Sequence, residues 1–90
     1  TMQHTQADSL HLEAKKLASE KKLEQALAKV EAALELQKQN PSYWLTKAMV
    51  LEQLGRFADV EPVWELITTL IPNNAAGWFY LGKARAHLKK

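Results

Sequence analysis

The groups in this chain that could do chemistry are three histidines, ten carboxylates and twelve lysines and arginines. Asp8, His11 and Lys15 follow one another at intervals of three and four, so a helix would carry all three on one face. Such a cluster could supply a general base, or two ligands for a metal through Asp8 and His11. A general base needs a cleft that excludes water and a partner that shifts its pKa. A metal needs at least a third ligand, and the sequence places none within reach. His4 falls close to the start of the chain, in what reads as a frayed terminus, and His87 stands by itself near the other end. The absence of cysteine excludes a disulfide framework, a zinc finger and thiol catalysis, and no glycine-rich loop is present to cradle a phosphate. The expectation is solvated charge on a helix face, with no enzyme activity, no catalytic residue, no cofactor and no metal.

Nucleic acid is the next chemistry to weigh. Basic residues gather at Lys15-Lys16, Lys21-Lys22 and Lys29, and again at Lys83, Arg85, Lys89 and Lys90. A phosphate-binding surface needs such charges on one face, yet Glu13, Glu20, Glu24 and Glu31 are interleaved at helical spacing. Lys16 with Glu20 reads as pairing within a helix. The formal net charge is only +2, so the expectation is no nucleic-acid partner. No run approaches the ~18 consecutive apolar residues of a membrane span. The opening Thr1-Met2-Gln3-His4-Thr5-Gln6 lacks the basic and apolar parts of a signal peptide. A soluble chain is expected, with the cytoplasm as first choice of compartment although no residue fixes it.

The elements that would position these groups are helices. The chain has 90 residues, the size of one small domain or of a piece of something larger. Its 47% apolar and 24% charged residues suit an ordinary globular protein. Ala and Leu dominate, glycine and proline number three each, and no run alternates with period two. The punctuation predicts five helices at about 6–19, 22–37, 41–54, 57–71 and 75–89. Asn40 and Asn74 can cap the third and fifth helices, with Pro41 at a first helical position. Gly55 can end the third in a left-handed residue, and Pro72 stops the fourth. Pro62 resists this scheme, and the expectation is a fourth helix starting near Asp59 so that Pro62 lies in its first turn.

Sliding the chain by 34 residues against itself pairs like with like. Asn40 meets Asn74, Trp44 meets Trp78, and Ala14, Ala48 and Gly82 fall together. Leu17 meets Leu51, Leu23 meets Phe57, Val30 meets Trp64, and Ala33 meets Ile67. On these residues the chain resembles the tetratricopeptide repeat family, whose pattern runs W-x2-L-G-x2-Y, A-x3-F, P. Trp78-x2-Leu81-Gly82 matches the opening, with Arg85 where Tyr is expected. Val60-x3-Trp64 with Pro72 matches the close, Ala26-x3-Val30 is its counterpart upstream, and Gly55-Arg56-Phe57 resembles the turn between paired helices. Glu13 and Lys47 stand where Leu is expected, and Lys21 replaces the turn glycine. The resemblance implies a right-handed α-solenoid of antiparallel helix pairs in a single domain over 1–90. Its first repeat would run from about 7 to 40 and its second from about 41 to 74, with residues 75–89 as a capping helix. Ala14, Ala48 and Gly82 would be the points where a first helix approaches its partner closely.

The resemblance also implies a protein-interaction scaffold whose first helices line a concave groove. Carried position by position, that groove would present Asp8, His11, Lys15 and Ser19, then Leu45, Met49 and Glu52, then Phe79, Lys83 and Ala86. An apolar centre with a polar rim suits a short helix or an extended peptide. Where the family's chaperone-tail clamp has its Lys, Asn and Arg residues, this chain has His11, Lys15, Thr46, Ala76 and Tyr80, so capture of chaperone tails is not expected. The alternative is a self-associating or structural module of a larger protein. The last helix lacks a following partner, which leaves Phe79, Tyr80 and Leu88 available for a homodimer.

Overall fold

A computed structural model describes residues 2–89. It contains α1 (Met2–Ser19), α2 (Leu23–Leu36), α3 (Pro41–Gln53), α4 (Phe57–Leu70) and α5 (Ala75–Leu88), and no strand among the described residues. Thr1, and the Lys90 of the second basic cluster, lie outside that range. Each helix packs on the next, and α1 also touches α3. The Cα atoms span 42 × 28 × 17 Å. The smallest extent fits two layers of helices at a separation of about 9–10 Å. α1 touches α3, and α3 and α5 together wall a hollow over Trp64 of α4, which sets the odd-numbered helices in one layer and α4 in the other.

The 34-residue periodicity is present in the backbone itself. α2 and α4 have the same length and start 34 residues apart, as do the starts of α3 and α5. Asn40 and Asn74 are extended at φ −84° and −89°, and each side chain accepts from the N–H two residues on, at 3.0 Å. Lys22 and Arg56 precede α2 and α4 at φ −91° with ψ 67° and 70°. Their N–H groups donate to Leu17 and Leu51 at 2.9 and 3.0 Å. The indole N–H of Trp44 donates to the Lys38 carbonyl and that of Trp78 to the Pro72 carbonyl, at 2.7 and 2.8 Å. The core recurs in the same register. Ala14 and Ala48 are sealed beneath their neighbours, and Ala26, Val30 and Ala33 of α2 are matched by Val60, Trp64 and Ile67 of α4.

Three local expectations are corrected. α1 begins at Met2 rather than near residue 6, and His4 is not frayed. Its Nδ1 is 2.6 Å from Gln37 Nε2, and its Nε2 is 3.3 Å from Asp8. α4 begins at Phe57, so Pro62 lies in the second turn and not the first. The carbonyl that would have received the missing N–H belongs to Ala58. Both residues face solvent, where water can take up that carbonyl at little cost. Gly82 is not a point of close approach: a Cβ there would meet nothing within 4 Å. Ala14 and Ala48, by contrast, are fully buried on helices that each have the following helix packed against them, whereas no helix follows α5 among the described residues.

One pair of turns yields a prediction with opposite signs. Lys21 and Gly55 occupy equivalent positions with positive φ, 64° and 74°, where a side chain is strained and glycine is not. Lys21→Gly should stabilise the fold by about 1 kcal/mol, and Gly55→Ala should destabilise it by a similar amount. Thermal unfolding of the two variants checks this. Equal signs would mean that the turns are not equivalent.

Candidate functional site

The outer face of the odd-numbered layer carries the residues that the sequence assigns to a groove. α1 and α3 are held together by a polar seam. The Tyr43 hydroxyl, on a side chain only 1% exposed, donates to the Asp8 carboxylate. One turn further along both helices, His11 Nε2 and Thr46 Oγ1 share a hydrogen bond of 2.6 Å. The His11 and Tyr43 rings meet with centroids 4.7 Å apart. Burial, with the nearby positive charge of Lys15, holds the His11 pKa below its ordinary value even though Asp8 pulls the other way. The Tyr43 pKa is pushed up to about 12 by burial and by its bond to Asp8. Asp8 and His11 are therefore joined to α3, where the sequence predicts free solvated charge. This cluster is a joint between helices.

α3 and α5 stand apart. Among the described residues no Cα of one comes within 8 Å of a Cα of the other. The gap between them is floored by Trp64 of α4. Leu45, Met49 and Glu52 form one wall, and Ala76, Tyr80 and Lys83 form the other, enclosing about 360 Å³. The Tyr80 ring stacks on Trp64 at 5.0 Å and 17°, so Tyr80 lines this hollow instead of standing free. A second hollow of about 330 Å³ lies between α1 and α3, edged by Lys15, Ser19, Lys21 and Thr46. Met49, more than half exposed, borders both hollows together with Gln53.

The other expected residues take different places. Phe79 is 66% exposed and packs its edge on Tyr80 at 5.2 Å. Leu88 is 43% exposed near the end of α5, and His87 stacks flat on Phe57 at 4.0 Å. Met49 and Phe79 therefore offer apolar surface, Leu45 and Tyr80 are half-buried, and Ala86 lies open to water. No family model matches this sequence, and none of the curated proteins is significantly similar to it.

Two atoms in the α3/α5 hollow were not foreseeable from the sequence. The Trp64 indole N–H and Glu52 Oε2 are both buried, and neither has a hydrogen-bond partner within the protein. Trp44 and Trp78 each find a carbonyl six residues upstream. Trp64, in the other layer of helices, has none. Among the described residues, no group of three or more acidic or histidine side chains is placed to hold a metal ion. Among the described residues no helix is long and apolar enough to cross a membrane.

The ion pairs also depart from expectation. They run mainly between helices rather than along them. Lys29 reaches Glu13 at 3.6 Å and Lys47 reaches Glu31 at 3.3 Å. Arg85 spans Glu61 and Glu65 at 3.0 and 2.8 Å. These pairs are solvent-accessible, with Lys47 and Glu61 partly buried, and each adds about 1 kcal/mol at most. Together they occupy Glu13, Glu31, Glu61 and Glu65, none of which lines either hollow.

Proposed function

We propose that this chain is a tetratricopeptide-like, non-catalytic interaction scaffold that holds a peptide or a partner helix along the face of α1, α3 and α5. The observation that carries this reading is the gap between α3 and α5 above Trp64, continued past Met49 into the hollow beside α1. The family resemblance is supported by the recurrence of caps, turns and buried positions every 34 residues. A right-handed solenoid follows from that resemblance. The adaptable thioether of Met49 and the aromatic floor suit an apolar side chain inserted from outside.

The test compares the protein with a variant carrying Leu45→Ser, Met49→Ser and Lys83→Glu, with helicity matched by circular dichroism. Both are used to capture partners from native lysate. A partner retained by the wild type and lost by the variant is the expected result. Identical captures would overturn the groove as the working surface. A second reading, self-association through α5, is favoured by exposed Phe79 and Leu88 beside the open flank at Gly82. Sedimentation at two concentrations separates it from the first, because a groove binder remains monomeric.

A further inference from the structure

The distribution of charge narrows the class of peptide that fits the groove. Of the ten carboxylates, every one except Glu35 and Glu52 lies within 4.0 Å of a basic side chain. Lys15, Lys16, Lys21, Lys38, Lys83 and Lys89 are in no ion pair among the described residues, and three of them stand at the groove. Lys15 and Lys21 edge the α1/α3 hollow and Lys83 edges the α3/α5 hollow, and none of the three is in an ion pair among the described residues. Among the described residues Glu52 is the only carboxylate lining either hollow. Its Oε2 is withdrawn from water, and its single negative charge is outnumbered by the three lysines, which leaves the lining with an excess of positive charge. The groove is therefore a positive rim around an apolar centre, although the chain as a whole carries a net charge of only +2.

We infer that the occupant is a peptide segment in which acidic side chains flank one apolar anchor. The anchor sits between Met49 and Tyr80 above Trp64, and the carboxylates lie against Lys15 and Lys21 at one end and Lys83 at the other. This rests on the groove reading above and specifies its ligand. Charge complementarity is the ground for it: unpaired lysines at a rim attract carboxylates and speed encounter, while the apolar contacts slow release. The hollows, about 330 and 360 Å³, are each near the lower bound of ligand pockets. That size suits single side chains reaching in from a backbone lying across Met49. Side-chain carboxylates suffice, so the segment need not be a chain terminus.

The probe is a phage-displayed library of random heptapeptides, in which every peptide is internal and no free C-terminus is presented. Selection on the full chain should enrich peptides pairing Asp or Glu with Leu, Ile, Met or Phe. Synthetic amidated versions should bind about tenfold more weakly to Lys15→Glu/Lys21→Glu, and the loss should shrink at high salt as charge is screened. They should also weaken at least tenfold on Met49→Ser. Apolar peptides without acidic residues, lost on Met49→Ser but indifferent to the lysine reversals, would overturn this inference and leave the groove reading standing. No enrichment, or peptides that bind the Met49→Ser variant undiminished, would overturn both. A twelve-nucleotide single strand that binds more tightly than the peptides, and is lost on the same lysine reversals, would assign the rim to phosphates and reject the peptide.

Discussion

Trp64→Ala should cost about 3–5 kcal/mol, the range for deleting a fully buried large aromatic. A 90-residue domain has only about 5–13 kcal/mol to lose. The midpoint of thermal unfolding should therefore fall by roughly 15–30 °C, which circular dichroism in urea and on heating checks. The size of the effect comes from position. Trp64 is 2% exposed, floors the gap between α3 and α5 and stacks on Tyr80, so its removal loosens three helices together. Its counterpart one repeat earlier, Val30, is equally buried but smaller, and Val30→Ala should cost much less. Trp64→Phe should also be mild. The indole N–H has no partner within the protein, so phenylalanine forfeits no hydrogen bond and removes an unpaired buried donor. If Trp64→Phe proved as damaging as Trp64→Ala, the N–H would have a role that the fold does not display.

The architecture was legible because its signals are local. Asn40-Pro41 and Asn74 state a helix start in the residues that make it, and their side chains bond the backbone two residues on. Gly55 states a left-handed turn in the same way. Lys21 does not, and its positive φ is recognisable only through the 34-residue register that aligns it with Gly55. Pairing Val30 with Trp64 and Ala14 with Ala48 located core positions in α1 to α4, since equivalent residues in stacked units meet equivalent neighbours. The same reasoning failed at Gly82, where the register is correct but the receiving helix is absent among the described residues. Repeat logic presumes that the next helix is present, and among the described residues α5 has none.

The groove was legible only in outline. Its helices and the exposed positions Met49 and Phe79 follow from register. Three further features depend on distances that no spacing rule supplies. Asp8 lies 35 residues from Tyr43, and His11 lies 35 from Thr46, which is one repeat plus one residue. That offset is set by how α1 and α3 lie across each other, not by either helix alone. Tyr80 turns inward because Trp64 offers it a face. The lysine rim becomes visible only once the fold gathers Lys15, Lys21 and Lys83 around the two hollows. Glu13 and Lys47, which interrupt the apolar pattern of the sequence, serve those pairs with Lys29 and Glu31.

The α1–α3 seam should make stability fall at both ends of the pH scale. Tyr43 is neutral in the fold, and its pKa is raised from 10.0 to about 12. A group raised in the folded state contributes stability that is complete below its unfolded pKa and is lost as pH rises through the folded one. The loss should therefore run between about pH 10 and pH 12, as the phenolate forms beside the Asp8 carboxylate that had accepted its proton. Tyr43→Phe should remove that alkaline limb. At neutral pH it should cost about 1.5–3 kcal/mol, the range for a hydrogen bond to a charged group. His11 supplies the acid limb with the opposite sign. Its pKa is lowered, so its contribution is complete above the ordinary histidine value of 6.5 and is lost as pH falls through the folded value. His11→Gln keeps a polar group for Thr46 without the titration and should flatten stability just below pH 6.5. Unfolding midpoints measured from acid to alkaline pH for the wild type and both variants test the two limbs separately. A wild-type profile that Tyr43→Phe leaves unchanged above pH 10 would show that the hydroxyl does not hold α1 to α3.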